Sequence, residues 1–194
     1  MTDQRERHSF YWERFLSEGA PKQPPRPDLA ALRRGVNAEP GTVPAMWPFY
    51  STWQDGDERP WRLDAEHQAL TLFAVHQQST SYLVHRPKLP FAQTLAKLHA
   101  SGKFSKDAVD RRFYAAVTAA GIVEVGYHLR SLVRQLHSLD IPTPFDYTAL
   151  YRDLEGWQFA ERRSRTQRRW GLEYYRQVIS SASENVSTTN EGDK

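Results

Sequence analysis

The stretch Ile122-Val-Glu-Val-Gly-Tyr-His-Leu-Arg-Ser-Leu-Val-Arg-Gln-Leu-His-Ser-Leu139 carries a clear helical pattern. Its apolar residues recur three and four positions apart, which places them on one face of a helix that turns about 100° per residue. These residues are Val125, Leu129, Leu132, Val133 and Leu136. The opposite side presents Tyr127, Arg130, Arg134 and His137. The stretch therefore predicts a helix with one face on a core and a basic outer face.

Shorter stretches with the same periodicity occur on both sides of it. Helices are predicted to follow the N-cap residues Asp28, Asp64, Ser105 and Asp146, and Gly35 and Gly121 are expected to end two of them. Further helices are predicted over 8–18, 91–100 and 157–180. No stretch of any length has the period of a strand, so the sequence predicts an all-α fold of about eight or nine helices.

The Gly102 region, flanked by lysines, is the predicted boundary between two small helical bundles, 8–101 and 104–180. From residue 181 the composition changes to Ser, Asn, Thr, Gly and acids, which predicts a disordered acidic tail over 181–194. Prolines at 40, 44, 48 and 60 exclude a long helix between 37 and 60. The aromatic residues of that irregular segment are expected to pack inward: Trp47, Phe49, Tyr50, Trp53 and Trp61.

The last predicted helix contains Glu161-Arg-Arg-Ser-Arg-Thr-Gln-Arg-Arg-Trp170, in which arginines greatly outnumber acids. One stripe carries Phe159, Thr166, Trp170 and Tyr174, with Arg163 beside it. The opposite third of the circumference carries Arg162, Arg165, Arg168, Arg169 and Arg176. Massed guanidinium groups repel one another unless an anion lies across them, and phosphate fits their forked geometry. The alternative is a solvated face with acidic partners, as Asp107 and Arg111 could form at i, i+4.

The amino-acid composition excludes several classes of protein. There is no cysteine, which excludes disulfides and thiolate metal sites and fits an intracellular protein. The sequence start has no apolar signal region, and no apolar run reaches the length of a membrane span. The net charge is +3, and since the tail holds three acids and one lysine, the remaining chain carries about +5. We therefore expect a cytoplasmic protein with a local anion-binding surface.

Signals for catalysis are weak. His67 and His76 are not spaced as zinc ligands on a helix. The segment 55–58, Asp-Gly-Asp-Glu, lacks the further oxygen ligands of a calcium loop and is interpreted as a turn. Glycine-rich phosphate loops and the G-x-S-x-G motif are absent. Exposed tryptophans could stack on unpaired bases, but a core role is favoured for Trp47, Trp53, Trp61 and Trp170. We expect a non-enzyme without metal or cofactor.

Five segments of the second half occur in a recognisable order and spacing. They are Arg111-Arg-Phe113, His128-Leu-Arg-Ser-Leu-Val-Arg134, Phe145-Asp-Tyr-Thr-Ala-Leu150, Asp153-Leu-Glu-Gly-Trp157 and Arg168-Arg-Trp-Gly-Leu-Glu-Tyr-Tyr175. Together they resemble the CasB family, the small subunit of the type I-E CRISPR Cascade complex. Leu32-Arg-Arg34, Pro48-Phe-Tyr50 and Ala69-Leu-Thr-Leu-Phe-Ala-Val-His76 agree more loosely. The segment 77–91 departs from the resemblance, because the family usually has glycines there.

The resemblance implies two stacked helical bundles, no catalytic activity, and two copies lying head to tail in an RNA-guided complex. The partners it implies are crRNA, both strands of the target DNA and other Cascade subunits, with no membrane and no small-molecule substrate. Base pairing reads sequence in such complexes, so backbone contacts suffice for the protein. Matching positions imply nucleic-acid contact for Arg33, Arg34, Arg111, Arg112, Arg130, Arg134, Arg168 and Arg169. Helical geometry adds Lys97, Lys103, Arg162 and Arg165.

A second interpretation stays open at this point. The same basic faces suit an α-helical adaptor whose arginines dock on acidic surfaces of neighbouring subunits. Salt dependence separates the two, because phosphate binding makes log affinity for single-stranded DNA fall linearly with log salt, by about 0.7 units per phosphate neutralised.

Overall fold

A computed structural model describes residues 10–16, 22–53 and 61–189, with 181–189 described by backbone alone. The α-helices in these ranges are α1 (Arg26–Arg34), α2 (Trp61–Gln77), α3 (Phe91–Leu95), α4 (Lys97–Ala100), α5 (Lys106–Thr118), α6 (Ile122–His137), α7 (Tyr147–Gly156) and α8 (Ala160–Thr189). Two 3-10 helices, Tyr11–Phe15 and Pro44–Phe49, complete them. The described ranges hold no strand, only an isolated bridge between His85 and Phe145. The predicted all-α class and helix number are confirmed.

Helix α2 lies at the centre of the fold. Every residue from Ala65 to Gln77 is buried, because α1, α6 and α7 all pack against this helix. A helix surrounded on all sides has no need of a polar face. In the sequence, Ala65, Ala69, Leu72, Phe73 and His76 recur at helical spacing, which predicts a single core-facing stripe. The structure instead buries the whole circumference of the helix.

The buried polar groups of α2 find partners within the chain. Glu66 accepts hydrogen bonds from the backbone nitrogens and hydroxyls of Ser51 and Thr52, at 2.6–2.8 Å. His76 lies between the Tyr147 hydroxyl, 3.0 Å away, and the Thr143 hydroxyl, 3.1 Å away. Burial removes water from these groups, so internal hydrogen bonds are what make their burial tolerable.

The buried apolar side chains of both halves of the chain form one hydrophobic cluster. Within it, Trp157 and Trp170 lie 5.4 Å apart between ring centres, and the ring of Phe91 contacts Trp170 at 5.4 Å. The predicted core role of Trp170 is confirmed, since it is 1% exposed. Packing of α2 on α6 and α7 therefore continues across the Gly102 region, and the division into two bundles stays a prediction.

Helix ends follow local chemistry at some of the predicted positions and not at others. The side chain of Asp146 caps α7 by accepting from the Ala149 nitrogen, and Gly35 follows the last residue of α1. In contrast, α1 begins two residues before Asp28, with Pro27 in its first turn. Helix α2 begins at Trp61, before Asp64. Gly121 is the N-cap of α6 rather than the end of α5.

The aromatic segment before α2 is less buried than predicted. Trp47 is 51% exposed and Trp53 is 41% exposed, and their rings pack edge to face at 5.9 Å. The expectation that these two rings pack inward was wrong. Trp47 Nε1 donates to the carbonyl oxygen of Gly41 at 2.9 Å, so this side chain is held against the neighbouring turn and not in the core.

The segment 77–91, where the resemblance fails, contains two non-glycine residues in the left-handed region, Ser79 (φ 58°) and Lys88 (φ 66°). Glycine adopts this conformation without a steric cost. At Lys88, the backbone nitrogen donates to Asp146 Oδ2 at 2.8 Å, and this hydrogen bond helps to hold the left-handed conformation of Lys88.

Helix α8 continues past residue 180 to Thr189. The sequence between these points has no glycine or proline to stop it. Residues 190–194 lie outside the described ranges, and disorder of the tail stays a prediction. The predicted turn at 55–58 and the predicted end of the first helix near Gly19 also lie outside these ranges. Among the described helices, none is both long and apolar enough to cross a membrane.

Candidate nucleic-acid interface

Helices α5 and α6 pack against each other and are joined by three residues. Each has one buried side: Val109, Phe113 and Ala116 on α5, and Val125, Leu129, Leu132, Val133 and Leu136 on α6. The predicted core face of α6 is thus confirmed in full. Because these faces point inward, the polar residues of both helices lie on the outer side.

A groove of about 450 Å³ runs along this outer side. It is lined by Phe104, Arg112, Tyr127, Arg130, Ser131, Arg134, Gln135 and Ser138. We call it the α5–α6 groove. Three of the lining residues are arginines and none is an acid, so positive charge is concentrated there without a carboxylate in the lining.

Arg130 is the best anchored of the three arginines. It is half-buried, and its Nη1 donates to Asn37 Oδ1 at 2.8 Å. Burial lowers the pKa of the Arg130 guanidinium, and the like charge of Arg134 lowers it further. Only Tyr127 acts in the opposite direction, so among the described residues no carboxylate offsets the lowering of this pKa.

Arg112 and Arg134 are exposed. Arg112 Nη1 donates to the carbonyl oxygen of Ala108 at 3.1 Å, one turn earlier in α5. Among the described residues neither arginine has a carboxylate within ion-pair distance. Lys103 reaches the rim of the groove, where its Nζ donates to the carbonyl oxygen of Ser138. Guanidinium groups arranged in this way can donate charge-assisted hydrogen bonds to a multivalent anion.

The arginines of α8 are used differently. Arg169 forms an ion pair with Asp153 on α7, and its Nε lies 3.6 Å from Glu173 Oε1. Burial lowers the pKa of the Arg169 guanidinium, but the hydrogen bond and charge of Asp153 outweigh this effect and raise it overall. Asp153 also accepts from Trp170 Nε1 at 2.8 Å. Arg169 thus joins α8 to α7.

Other α8 arginines bind groups of their own chain. Arg163, predicted to lie beside the apolar stripe, donates to the carbonyl oxygens of Ala120 (2.7 Å) and Trp157 (3.3 Å). Arg162 lies over the ring of Phe159 at 5.1 Å. Arg165 and Arg168 are exposed and line a separate shallow depression that also contains Glu161.

The remaining predicted contact residues lie apart from the α5–α6 groove. Arg33 lines a different cleft, together with Arg26. Lys97 donates to the Pro142 carbonyl oxygen at 3.0 Å, and burial, followed by the charge of Arg86, lowers its pKa. Arg34 and Arg111 are exposed. The structure therefore brings Arg112, Arg130 and Arg134 together, with Lys103 at the rim, and contact with nucleic acid stays a prediction for all twelve residues.

Sequence reasoning left Tyr127, Ser131 and Gln135 out of the candidate site. Tyr127 precedes Arg130 by three residues and Arg134 by seven, a spacing that places all three on one helix face. That signal was visible in the sequence. The contribution of Phe104 and Asn37 was not, because both come from segments outside the two helices and are placed by tertiary packing.

Comparison with known proteins identifies the fold and the family. Residues 28–175 match the family described as "CRISPR-associated protein Cse2 (CRISPR_cse2)". The crystal structure of CasB from M. ruber is similar, with a TM-score of 0.67, 26% identity and coverage of 89% of this chain and 94% of that chain. No curated protein sequence matches the chain significantly.

Two further solved structures are similar. A CRISPR-associated protein of the Cse2 family from Thermus thermophilus has a TM-score of 0.59 and 27% identity, covering 77% of this chain and 85% of that chain. CasB from Thermobifida fusca, at 22% identity and a TM-score of 0.59, covers 75% of this chain and 84% of that one and supports the fold alone. Since the family match spans most of the sequence and agrees with these structures, the chain belongs to the Cse2 family of CRISPR-associated proteins.

Proposed function

We propose that this protein is a non-catalytic subunit of the CRISPR Cascade complex that holds nucleic acid through contacts to the sugar-phosphate backbone. Family membership supports the place in Cascade. The α5–α6 groove supports the nucleic-acid role, because it joins Arg112 of one helix to Arg130 and Arg134 of the next with no acid in its lining. That juxtaposition is the observation on which the proposal depends.

Phosphate is the anion that fits this groove best. Guanidinium groups present forked donors that match phosphate oxygens, and a strand supplies phosphates at regular intervals along a groove. Neutralising them also releases condensed counterions, which adds affinity without any reading of sequence. A subunit of an RNA-guided complex needs no more than this, because base pairing with the guide selects the target.

The proposed partners are crRNA, the two strands of target DNA and the neighbouring Cascade subunits, including a second copy of this chain arranged head to tail. In this role the groove stabilises the open R-loop after the guide has paired with the target. The exposed arginines outside the groove, such as Arg34, Arg111 and Arg168, extend the proposed contact surface.

A salt titration of a groove variant tests the proposal. Arg112, Arg130 and Arg134 are changed together to Gln, and binding of single-stranded DNA is followed by fluorescence anisotropy over a range of salt concentrations. Removal of three phosphate contacts is expected to lower the slope of log affinity against log salt by about 2. Circular dichroism and thermal unfolding verify that the variant remains folded.

The matched control removes the same charge elsewhere. Arg62, Arg86 and Arg152 are exposed and line no part of the groove, so their joint change to Gln is expected to leave most of the slope intact. An equal loss in both variants would mean that only net charge matters. If the groove variant binds DNA normally but fails to enter the complex, the adaptor interpretation is the correct one.

A further inference from the structure

An exposed tyrosine lies inside the α5–α6 groove. Tyr127 is 66% exposed, although aromatic rings are mostly buried in folded proteins. One side of the ring is taken by an edge-to-face contact with His128, at 5.4 Å between ring centres. The rest of the ring borders the cavity that the three arginines line.

The ring and the guanidinium groups are arranged along one line. Tyr127, Arg130 and Arg134 occupy one face of α6, and at 1.5 Å per residue the last lies about 10 Å from the first. A stacked strand rises about 3.4 Å per nucleotide. The face therefore spans about three nucleotides, with an aromatic surface at one end and charges along the rest.

These two kinds of group bind different parts of a nucleotide. Guanidinium groups bind phosphates and do not distinguish a single strand from a duplex. An aromatic ring binds a base through its face, and that face is available only when the base is unpaired and unstacked. Tyr127 consequently adds a preference for a single strand over a duplex, which the arginines alone do not provide.

We propose that the α5–α6 groove binds an unpaired strand, with one base stacked on the ring of Tyr127 and the neighbouring phosphates bound by Arg112, Arg130 and Arg134. This inference rests on the proposed nucleic-acid function and narrows it, because backbone contacts alone would accept duplex and single strand alike. The groove then selects the single-stranded part of an opened duplex and leaves the paired part to other surfaces.

The test compares Tyr127→Ala with the unaltered protein on three ligands of the same length: single-stranded DNA, single-stranded RNA and duplex DNA. Loss of one stacked base is expected to weaken single-strand binding by about 5- to 150-fold and to leave duplex binding unchanged. The DNA and RNA arms identify which strand chemistry the groove prefers. Tyr127→Phe keeps the ring and is expected to bind both single strands normally.

A strand with abasic sites provides an independent measurement, because it keeps the phosphates and lacks the bases. The unaltered protein is expected to bind this strand more weakly than the intact one, whereas Tyr127→Ala binds both equally. Tyr114, 50% exposed on α5 and outside the groove lining, supplies the control: Tyr114→Ala should keep the discrimination between the two strands.

The results separate this inference from the function on which it rests. If the triple arginine variant loses affinity while Tyr127→Ala binds every ligand normally, the stacking role is wrong and the backbone role stands. An equal loss for duplex and single strand in Tyr127→Ala would also overturn it. If neither variant changes binding, the proposed function fails together with the inference.

Discussion

Helix α8 and the α5–α6 groove both carry several arginines, but two of the α8 arginines bind groups of the fold whereas the groove arginines pair with no acid. On α8, Arg169 pairs with Asp153 and Glu173, and Arg163 donates to two backbone carbonyl groups. In the groove, Arg112, Arg130 and Arg134 have no carboxylate partner among the described residues. An arginine count along a helix therefore does not tell a binding surface from a structural one.

The difference follows from what lies opposite each helix. Helix α8 packs on α7, whose Asp153 is buried and requires a partner for its charge. The outer sides of α5 and α6 have no such neighbour within the described part of the chain. Charges that meet a buried acid stabilise the fold, and charges that meet only solvent remain available to an external anion.

The largest effect is expected from removing the buried acid. Asp153→Ala is expected to lower the free energy of unfolding by about 3 kcal/mol, because the buried Trp170 Nε1 loses its acceptor while the half-exposed Arg169 can still reach water. Urea unfolding followed by tryptophan fluorescence measures the change. A loss below about 1 kcal/mol, as for an exposed pair, would mean that Arg169, like the groove arginines, contributes little to the stability of the fold.

The same substitution made at one arginine of α8 and at one arginine of the groove tests whether the two regions differ. Arg169→Gln is expected to lower the free energy of unfolding by about 1–3 kcal/mol, because Asp153 loses a charged donor, with little change in DNA affinity. Arg134→Gln is expected to do the reverse, lowering the salt slope by about 0.7 with little change in stability. Both variants are measured by thermal unfolding and by salt titration, and identical profiles would remove the distinction between the two regions.

Lowering the pH is expected to change the stability of the fold but not the binding of DNA by the groove. Burial, and then the charge of His137, lower the pKa of His76 to about 3, whereas a histidine in the unfolded chain titrates near 6.5. The unfolded state therefore binds more protons between these values, and the free energy of unfolding falls as the pH falls through that window. The contribution of this histidine reaches about 2 kcal/mol at about pH 5.

Unfolding measured across this window in the unaltered protein and in His76→Gln isolates that contribution, because the variant should show a shallower pH dependence. Arginines stay charged throughout the window, so the salt slope of DNA binding should not change while the protein remains folded. A salt slope that follows the stability would mean that a titrating group, not the arginine cluster, controls binding.

The smallest effect is expected from an exposed ion pair. Arg62 Nε lies 3.2 Å from Glu155 Oε1, with the arginine side chain 57% exposed. Pairs of this kind contribute about 0.5 kcal/mol or less, so Arg62→Gln should shift the unfolding midpoint only slightly and leave DNA affinity unchanged. A large loss of affinity would show that the basic surface extends beyond the groove.

Much of the fold could be predicted from local patterns. All five apolar positions of α6 are buried as expected, and Asp146 caps α7. The full burial of α2 could not be predicted, because polar residues such as Glu66 look like an outer face until Ser51 and Thr52 are placed beside them. Hydrogen-bond partners far apart in sequence leave no periodic signal.

The candidate site shows the same limit. Helical spacing places Arg130 and Arg134 beside Tyr127, and that much could be predicted from one helix. The position of Arg112 across from them depends on how α5 packs on α6. The removal of Arg169 from the candidate surface depends on Asp153, sixteen residues away and on another helix.

The amino-acid sequence alone determined the helical class, the inward face of each strongly periodic helix and the family to which the chain belongs, because these depend on spacing and order along the chain. Only the tertiary structure decided which arginines are neutralised within the fold and which line a groove. Electrostatic interactions depend on distance in space, and the described part of the chain brings a buried carboxylate to α8 but none to the outer side of α5 and α6.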